Sequence, residues 1–198
     1  MTTSSMNIRR LIGAEEPEWI VWVLVIVLLG AGLALRGSVE GRTQQFTGGG
    51  ITVSYPADWV DNADGSVLLN AGATFSGRAP TSVQVRQVAV TAIGQKLKTM
   101  SDIALAWSAG HNKEFDAYSA LRVEPTTLGG KDAVLIEYAY VAPPLVGAAS
   151  TGVPVIARAR DYLVRQGDTV TVLTLVAEAN TFTTADALWE AIIASVRF

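Results

Sequence analysis

The sequence predicts an α+β domain, a mostly antiparallel sheet covered by helices, that follows a single transmembrane helix. Three observations predict this class. An uncharged apolar run covers residues 19–35, several later segments alternate apolar and polar residues as strands do, and two segments carry apolar residues at helical spacing. At 198 residues, the chain has room for one ordinary domain and an appendage.

The composition excludes several classes of function. The formal net charge is −3 and the isoelectric point is near 5.2, so no basic stripe is available for nucleic-acid phosphates. The chain has no cysteine, which excludes disulfides, thiolate zinc sites, a lipidated-cysteine anchor and a cysteine nucleophile. We therefore expect no nucleic-acid partner.

The apolar run is interpreted as a membrane span. As a helix, residues 19–35 would cover roughly 25 Å of a hydrocarbon layer about 30 Å thick, and the flanking residues complete the crossing. Trp19 and Trp22 lie at one end and Arg36 at the other, as is typical of membrane interfaces. A core helix would carry a polar stripe, which is missing here. We therefore expect a short tail over residues 1–18 and a transmembrane helix over 19–35.

A cleavable signal peptide is the alternative interpretation of this run. Gly32 and Ala34 form a small-x-small cleavage pattern, but the acidic residues of 15–18 are unusual before a signal peptide, which favours an uncleaved anchor. Two arginines on each side leave the orientation undetermined by the positive-inside rule. Gly30 and Ala34 stand four residues apart, which would let a second helix approach closely.

The remaining chain is interpreted as a linker followed by the domain. Residues 36–50 are polar and glycine-rich, which is typical of a flexible linker, so we expect the domain to span residues 51–198. A turn is expected at 61–66 and another at Gly129 and Gly130. Strands are expected at 51–55, 67–69, 81–90, 118–124 and 133–141, and in a hairpin around 166–168. The second strand of that hairpin is apolar on both faces, which predicts a central position.

Two helices are expected in the domain. The first carries Met100, Ile103, Ala104 and Trp107 at positions i, i+3, i+4 and i+7. Ser101 or Thr99 would cap it, and Gly110 would end it. The second would be capped by Thr183 or Thr184, and its apolar stripe consists of Ala185, Leu188, Trp189, Ile192, Ile193 and Val196.

Residues able to carry chemistry are few. His111, the only histidine, follows the expected helix end and is interpreted as a solvated surface residue. Asp58, Asp61 and Asp64 are interpreted as ordinary surface charges because their spacing points them in different directions. One strand face carries Arg158, Arg160 and Tyr162, which could hold an anionic ligand, although a solvated strand face is favoured.

A long segment without charge, residues 138–157, is the most unusual feature of the domain. A loop facing only water would be more polar. We expect it to rest on a partner subunit, on the lipid interface, or on the domain's own sheet. The residues that would make this contact are Pro143, Pro144, Leu145, Val146, Val153, Pro154 and Val155.

The order of these segments is similar to that of a known family. The segments "ITVSYPADW", "SDIALAW", "TLGGKDAVLIEYAYV", "DYLVRQGDTVTVLTL" and "LWEAIIASVRF" together resemble the PsbP-like domains, over about residues 46–198. These include the extrinsic oxygen-evolving subunit of photosystem II and many bacterial membrane-anchored or lipoprotein relatives. The resemblance implies an α-β-α sandwich that acts outside the cytoplasm as a binding or scaffolding module. The metal-binding residues of the plant subunit have no clear match here, and the uncharged insert at 142–156 is unlike a plain hairpin.

Two functions are therefore expected. The first is a non-enzymatic accessory subunit of a membrane complex, anchored in the cell membrane by one span. It would contact its neighbours through Gly30, Ala34 and the 142–156 loop, with its domain outside the cytoplasm. The alternative is a tethered protein that binds a small apolar or anionic ligand near Trp107 and Trp189, although both tryptophans also fit core positions. No cofactor is expected, and an enzyme is disfavoured because no catalytic constellation is visible.

Overall fold

The computed structural model describes residues 18–73, 81–94, 96–142 and 154–198. The chain divides between Arg42 and Thr43 into two units. In the first unit, helix α1 runs over Glu18–Glu40, and its side chains from residue 21 to residue 32 are exposed. Across the part of the chain whose side chains are described, no helix combines the length and the apolar character needed to cross a membrane.

The second unit is the predicted α+β domain. Its strands are β1 (Thr43–Gly48), β2 (Ile51–Pro56), β3 (Val60–Asp61), β4 (Leu69–Gly72), β5 (Ser82–Ala89), β6 (Asp116–Leu128), β7 (Lys131–Ala142), β8 (Val155–Gln166) and β9 (Thr169–Glu178). Its helices are the short α2 (Val90–Ile93), α3 (Met100–Glu114) and α4 (Phe182–Ser195).

One large sheet organises the domain. Seven strands lie in the order β3-β4-β5-β9-β8-β7-β6, and each neighbouring pair is antiparallel. The apolar strand β9 lies between β5 and β8, which confirms its predicted central position. β1 and β2 form a separate two-stranded hairpin.

Helix α3 covers one face of the sheet. Its apolar residues Ile103 and Ala104 are buried against side chains from the three strands β7, β8 and β9. Thr99 caps the helix in a reciprocal capping box with Asp102, which confirms one of the two predicted caps. The sheet residues of this core are Val134, Ile136, Tyr138, Ala159, Leu163, Val170 and Val172.

Helix α4 and the β1-β2 hairpin cover the opposite face. Trp189 is fully buried there, and Phe182 meets its ring edge to face at 5.0 Å between centroids. Val53 from β2 and Leu173 and Leu175 from β9 belong to the same core. With helices on both faces, the domain has the expected sandwich arrangement.

Several predicted boundaries were wrong. Residues 36–50 are not a linker: α1 continues to Glu40, and 43–48 form β1, whose alternating residues pair with β2. The strand predicted at 67–69 instead begins at Leu69 and continues to Gly72. At α4 the cap position is Thr181, whose hydroxyl donates to the Glu178 carbonyl, so neither Thr183 nor Thr184 caps the helix.

Candidate functional site

A row of polar residues crosses the α3 face of the sheet. Asn70, Gln84, Thr174 and Asp161 lie opposite one another on the neighbouring strands β4, β5, β9 and β8. Gln84 donates from Nε2 to the side-chain oxygen of Asn70 at 3.2 Å. A sheet face that only packed against a helix would be apolar along this row, so the polar residues mark a site.

Asp161 ends this row beneath α3 and is fully buried. Its Oδ2 accepts hydrogen bonds from Trp107 Nε1 at 2.6 Å and lies 2.8 Å from His111 Nε2. Its Oδ1 accepts a longer bond of 3.3 Å from the Tyr138 hydroxyl. A buried carboxylate requires such partners, because an unpaired charge in the interior is very unfavourable.

The interpretation of His111 as a surface residue was wrong. Helix α3 passes through Gly110 and ends at Glu114, which places His111 one turn after Trp107 on the covered face. Only 6% of its surface is exposed. The helical spacing of Ala104, Trp107 and His111 was the signal, and interpreting Gly110 as a helix end hid it.

Asp161 could have been found from its strand. Along β8 the side chains of Ala157, Ala159 and Leu163 share its face and are fully buried, so a carboxylate at this position breaks an apolar alternation. A charged residue on the inward face of a strand is unusual enough to suggest a site.

Aromatic rings surround the His111–Asp161 pair. His111 lies 4.9 Å from both Phe115 and Tyr138 between ring centroids, and Phe115 stacks on Tyr140 at 4.4 Å. Tyr118 completes the group, with its hydroxyl 2.7 Å from the hydroxyl of Ser108. These rings close the site from one side.

Burial raises the pKa values of the tyrosines in this group. It raises the pKa of Tyr138 well above its usual value, and the nearby Asp161 charge adds to the shift. Burial likewise raises the pKa of Tyr140 and of Tyr118. These hydroxyls are therefore neutral in the physiological range, and the Tyr138 hydroxyl donates to Asp161 Oδ1.

Two adjoining cavities lie between α3 and the sheet, and we call them together the α3 cleft. Their volumes are about 210 and 220 Å³, and both are lined by Arg86, Trp107, His111 and Glu114. The second is also lined by polar residues of the row, Gln84 and Thr174, and by the rings of Phe115, Tyr138 and Tyr140.

Arg86 is the free cation of the α3 cleft. Within the described part of the chain its guanidinium makes no hydrogen bond and no ion pair, and its Nε is buried. Its field is one of the weaker causes that lower the pKa of Asp64, after the hydrogen bonds from Ser66. The cleft therefore combines an unpartnered cation, hydrogen-bonding groups and aromatic walls.

The arginines of β8 do not form the anion site considered from the sequence. Arg160 bonds Asp186 at 2.6 Å and lies 3.5 Å from Glu137, which also pairs with Arg158. Arg158 also stacks over the Phe182 ring at 3.7 Å. Because carboxylates already neutralise both cations, this face is an internal ion-pair network beside α4.

One ligand cannot lie near both Trp107 and Trp189, as the sequence suggested. Trp107 packs in the core under α3, and Trp189 is buried in the core under α4, on the opposite face of the sheet. Trp189 is a core residue, whereas Trp107 lines the α3 cleft.

The residues expected to contact partners are only partly described. Gly30 lies in α1, where no atom stands within 4 Å of an added Cβ, and Ala34 lies in the same helix, although its side chain is not described. Val155 begins β8, is partly buried and packs against Ala142 and Ala157. Pro154 is exposed. The other expected contacts, Pro143, Pro144, Leu145, Val146 and Val153, lie outside the described residues.

The aspartates between β2 and β4 act locally. Asp61 Oδ1 accepts from the backbone of Ala63 and Asn70, and Asp64 Oδ1 accepts from Ser66. Asp58 is exposed. Over the described ranges, no group of three or more histidine or acidic side chains is placed to hold a metal ion.

No family model matches the sequence, and no curated protein matches it. Solved structures match its fold. CyanoP, the cyanobacterial PsbP of Synechocystis sp. PCC 6803, is 14% identical and superposes with a TM-score of 0.54 over 78% of this chain and 91% of its own. LpqN of Mycobacterium tuberculosis, involved in cell envelope biogenesis, is 14% identical, with a TM-score of 0.50 over 79% of this chain and 90% of its own.

A eukaryotic protein shares the same fold. The Ran-binding protein Mog1p of Saccharomyces cerevisiae is 12% identical, with a TM-score of 0.51 over 79% of this chain and 95% of its own. At these identities the similarity concerns the fold alone. These superpositions show that the domain of this chain has the PsbP-like fold.

Proposed function

We propose that the chain is a non-enzymatic accessory subunit of a membrane protein complex. Residues 19–35 would span the cell membrane, and the PsbP-like domain would stand outside the cytoplasm and bind neighbouring subunits. The observation that carries the proposal is the uninterrupted apolar character of this segment within a 23-residue helix.

The side chains of α1 support the anchoring part of the proposal. The four consecutive residues 26–29 point to all sides of the helix, because successive side chains are about 100° apart, and each is between 62% and 66% exposed. A helix that is apolar on all sides needs an apolar environment, which a bilayer supplies. Gly30 leaves room for a second helix to approach.

The domain's fold supports the binding part. Mog1p, which has this fold, is a Ran-binding protein, and LpqN is involved in cell envelope biogenesis. In this chain the proposed contact is the uncharged 142–156 segment. At its end, Ile156 is more than half exposed and is available for a contact.

The proposal is tested by purifying the tagged full chain from its own membranes in mild detergent, after crosslinking in the intact membranes. A partner in stoichiometric amount is expected, and Ile156→Glu should reduce its recovery. Leu105→Glu is the matched control, because Leu105 is equally apolar and 74% exposed but lies on α3. Recovery of the chain alone would contradict the proposal.

A second candidate function is a tethered small-molecule binding protein, and the α3 cleft favours it. The cleft is a concave site with a few polar groups among aromatic walls, as ligand sites commonly are. Native mass spectrometry of the full chain tests this function. An additional small mass on the chain is expected, and its loss in a variant that fills the cleft, Thr174→Phe, would locate it.

A further inference from the structure

We propose that the α3 cleft binds a small aromatic carboxylate, with the carboxylate on Arg86 and the ring among Phe115, Tyr138 and Tyr140. This inference rests on the second candidate function and names its ligand class. It is drawn from the charge, the free hydrogen-bonding groups and the size of the cleft.

The charge of the cleft favours an anion. Arg86 lines both cavities, and within the described residues nothing pairs with its guanidinium. A guanidinium presents parallel N–H donors that match the two oxygens of a carboxylate. A buried N–H without an acceptor is unfavourable, so an anionic ligand would supply the missing acceptor.

The acidic residues around Arg86 do not compete strongly for this role. Asp64 is exposed, and Arg86 is only the last of the causes that lower its pKa. Asp161 is fully buried, and Trp107, His111 and Tyr138 already occupy its oxygens. Glu114 lies at the rim with 62% of its side chain exposed, and its Oε2 is 3.8 Å from His111 Nδ1. Solvent and salt screen an exposed carboxylate, so its repulsion of an anion is weak.

A second polar group lies in the same cavity. The Thr174 hydroxyl lines it, and in the described part of the chain this hydroxyl has no hydrogen-bond partner. Thr174 lies opposite Gln84, two residues from Arg86 on β5, so its hydroxyl and the guanidinium face the same space. Together they would bind both oxygens of one carboxylate.

The size and the walls of the cleft favour a single ring. A protein cavity of roughly 150 Å³ is sufficient for benzene. The 220 Å³ cavity therefore has room for a ring and a carboxylate. Phe115 and Tyr140 are already stacked at 4.4 Å, and a further flat ring would continue this arrangement by offset or edge contacts.

The test uses calorimetric titration of the full chain in detergent, with the same detergent in the ligand solution. Three probes have similar shape and different charge: benzoate, benzamide and benzylamine. We expect one benzoate per chain and at least tenfold weaker binding of the other two. Binding should also shift the indole N–H resonance of Trp107 in the NMR spectrum. This resonance is identified as the one that is missing from the spectrum of Trp107→Phe.

Charge variants give the direction of the effect. Arg86→Gln should weaken benzoate binding by roughly tenfold to a hundredfold, because it removes charge-assisted hydrogen bonds. Arg86→Lys keeps the charge but loses the parallel N–H donors of the guanidinium. Its affinity for benzoate should lie between those of Arg86→Gln and the unchanged chain. Glu114→Gln should leave binding unchanged or tighten it. Arg122→Gln is the matched control, because Arg122 is exposed on β6 and pairs with Glu124.

Three results would overturn the inference. The first is equal affinity for benzamide and benzoate, and the second is unchanged benzoate affinity in folded Arg86→Gln. The third is a preference for benzylamine whose binding is weakened by Glu114→Gln. These failures are distinguishable from failure of the second candidate function. If benzoate does not bind but native mass spectrometry finds another small mass on the chain, only the ligand class is wrong. If no probe binds and the chain carries no added mass, both are wrong.

Discussion

Asp161 Oδ2 lies 2.8 Å from His111 Nε2, although the two residues stand 50 positions apart in the chain. This contact joins helix α3 to strand β8 beneath a helix face that is otherwise apolar. The pair fixes the helix over the sheet and thereby forms one wall of the α3 cleft. Its removal should affect both the stability of the domain and the shape of the cleft.

Replacing Asp161 with Asn should destabilise the domain by about 2 kcal/mol, because a neutral amide oxygen accepts more weakly than a carboxylate from the buried donors of Trp107 and His111. Chemical denaturation of the full chain, followed by tryptophan fluorescence, measures the change. Asp132→Asn is the control, since Asp132 is exposed on β7 and should change stability by no more than about 0.5 kcal/mol. Equal effects of the two variants would show that the buried network does not stabilise the fold.

Stability should fall as the pH rises past about 10. The pKa of each of the five tyrosines is raised, in each case first by burial, and the shift is largest for Tyr138. In the unfolded chain these hydroxyls ionise near pH 10, whereas in the folded chain they retain their protons. The unfolded state therefore binds fewer protons above this pH, and the free energy of unfolding decreases.

Tyrosinate absorbance during an alkaline titration checks this expectation. The native tyrosines should ionise later than those of the urea-unfolded chain, and Tyr138→Phe should remove the last step to appear. Ionisation of all native tyrosines at the ordinary pKa, with no change in stability, would contradict it.

Thr99→Ala should remove the α3 cap and reduce stability by about 1 kcal/mol. The same change should raise the pKa of Asp102 towards its usual value, because the Thr99 hydroxyl is the largest cause of its lowered pKa. Thermal unfolding and an NMR titration of the Asp102 carboxyl measure the two effects. Ser101→Ala, an exposed neighbour, is the control and should change neither.

Two adjacent glycines provide a test of the turn between β6 and β7. Both have positive φ, 55° at Gly129 and 80° at Gly130. At Gly129, an added Cβ would lie 2.9 Å from the Phe198 ring and 3.1 Å from the Val196 carbonyl oxygen. At Gly130, it would meet no atom within 4 Å. Gly130→Ala should therefore cost about 1 kcal/mol for backbone strain alone, and Gly129→Ala clearly more. Thermal unfolding compares them, and equal losses would contradict the close packing of the C-terminus on this turn.

The sequence predicted the strands and turns well where the signal is local. Alternating burial at Ile51, Val53 and Tyr55 belongs to one strand face, so it is visible in a few consecutive residues. The turn at Gly129 and Gly130 was predicted for the same reason. β9 was recognised as central because only a strand covered on both faces is apolar throughout.

The site depends on contacts that no local pattern contains. The polar row joins Gln84 of β5 to Thr174 of β9 and Asp161 of β8, so it depends on strand order and register. His111 was missed because glycine disfavours helix interiors by about 1 kcal/mol, which made Gly110 look like a helix end. The buried bond to Asp161 and the ring contacts of His111 stabilise the additional turn.

The central claim is that residues 19–35 anchor the mature chain in the membrane. It is tested most directly by asking whether this segment is retained in native membranes. Membranes carrying the full chain are washed at alkaline pH, and the intact mass of the chain is measured in the pellet and in the supernatant. We predict that the chain stays in the pellet with residues 19–35 present. Ile26→Arg with Leu29→Arg should release it, because each central charge disfavours insertion by roughly 3 kcal/mol. The exposed-surface control, Leu105→Arg with Leu121→Arg, should stay bound. A mature chain that begins after Ala34 and is recovered in the supernatant would contradict the account.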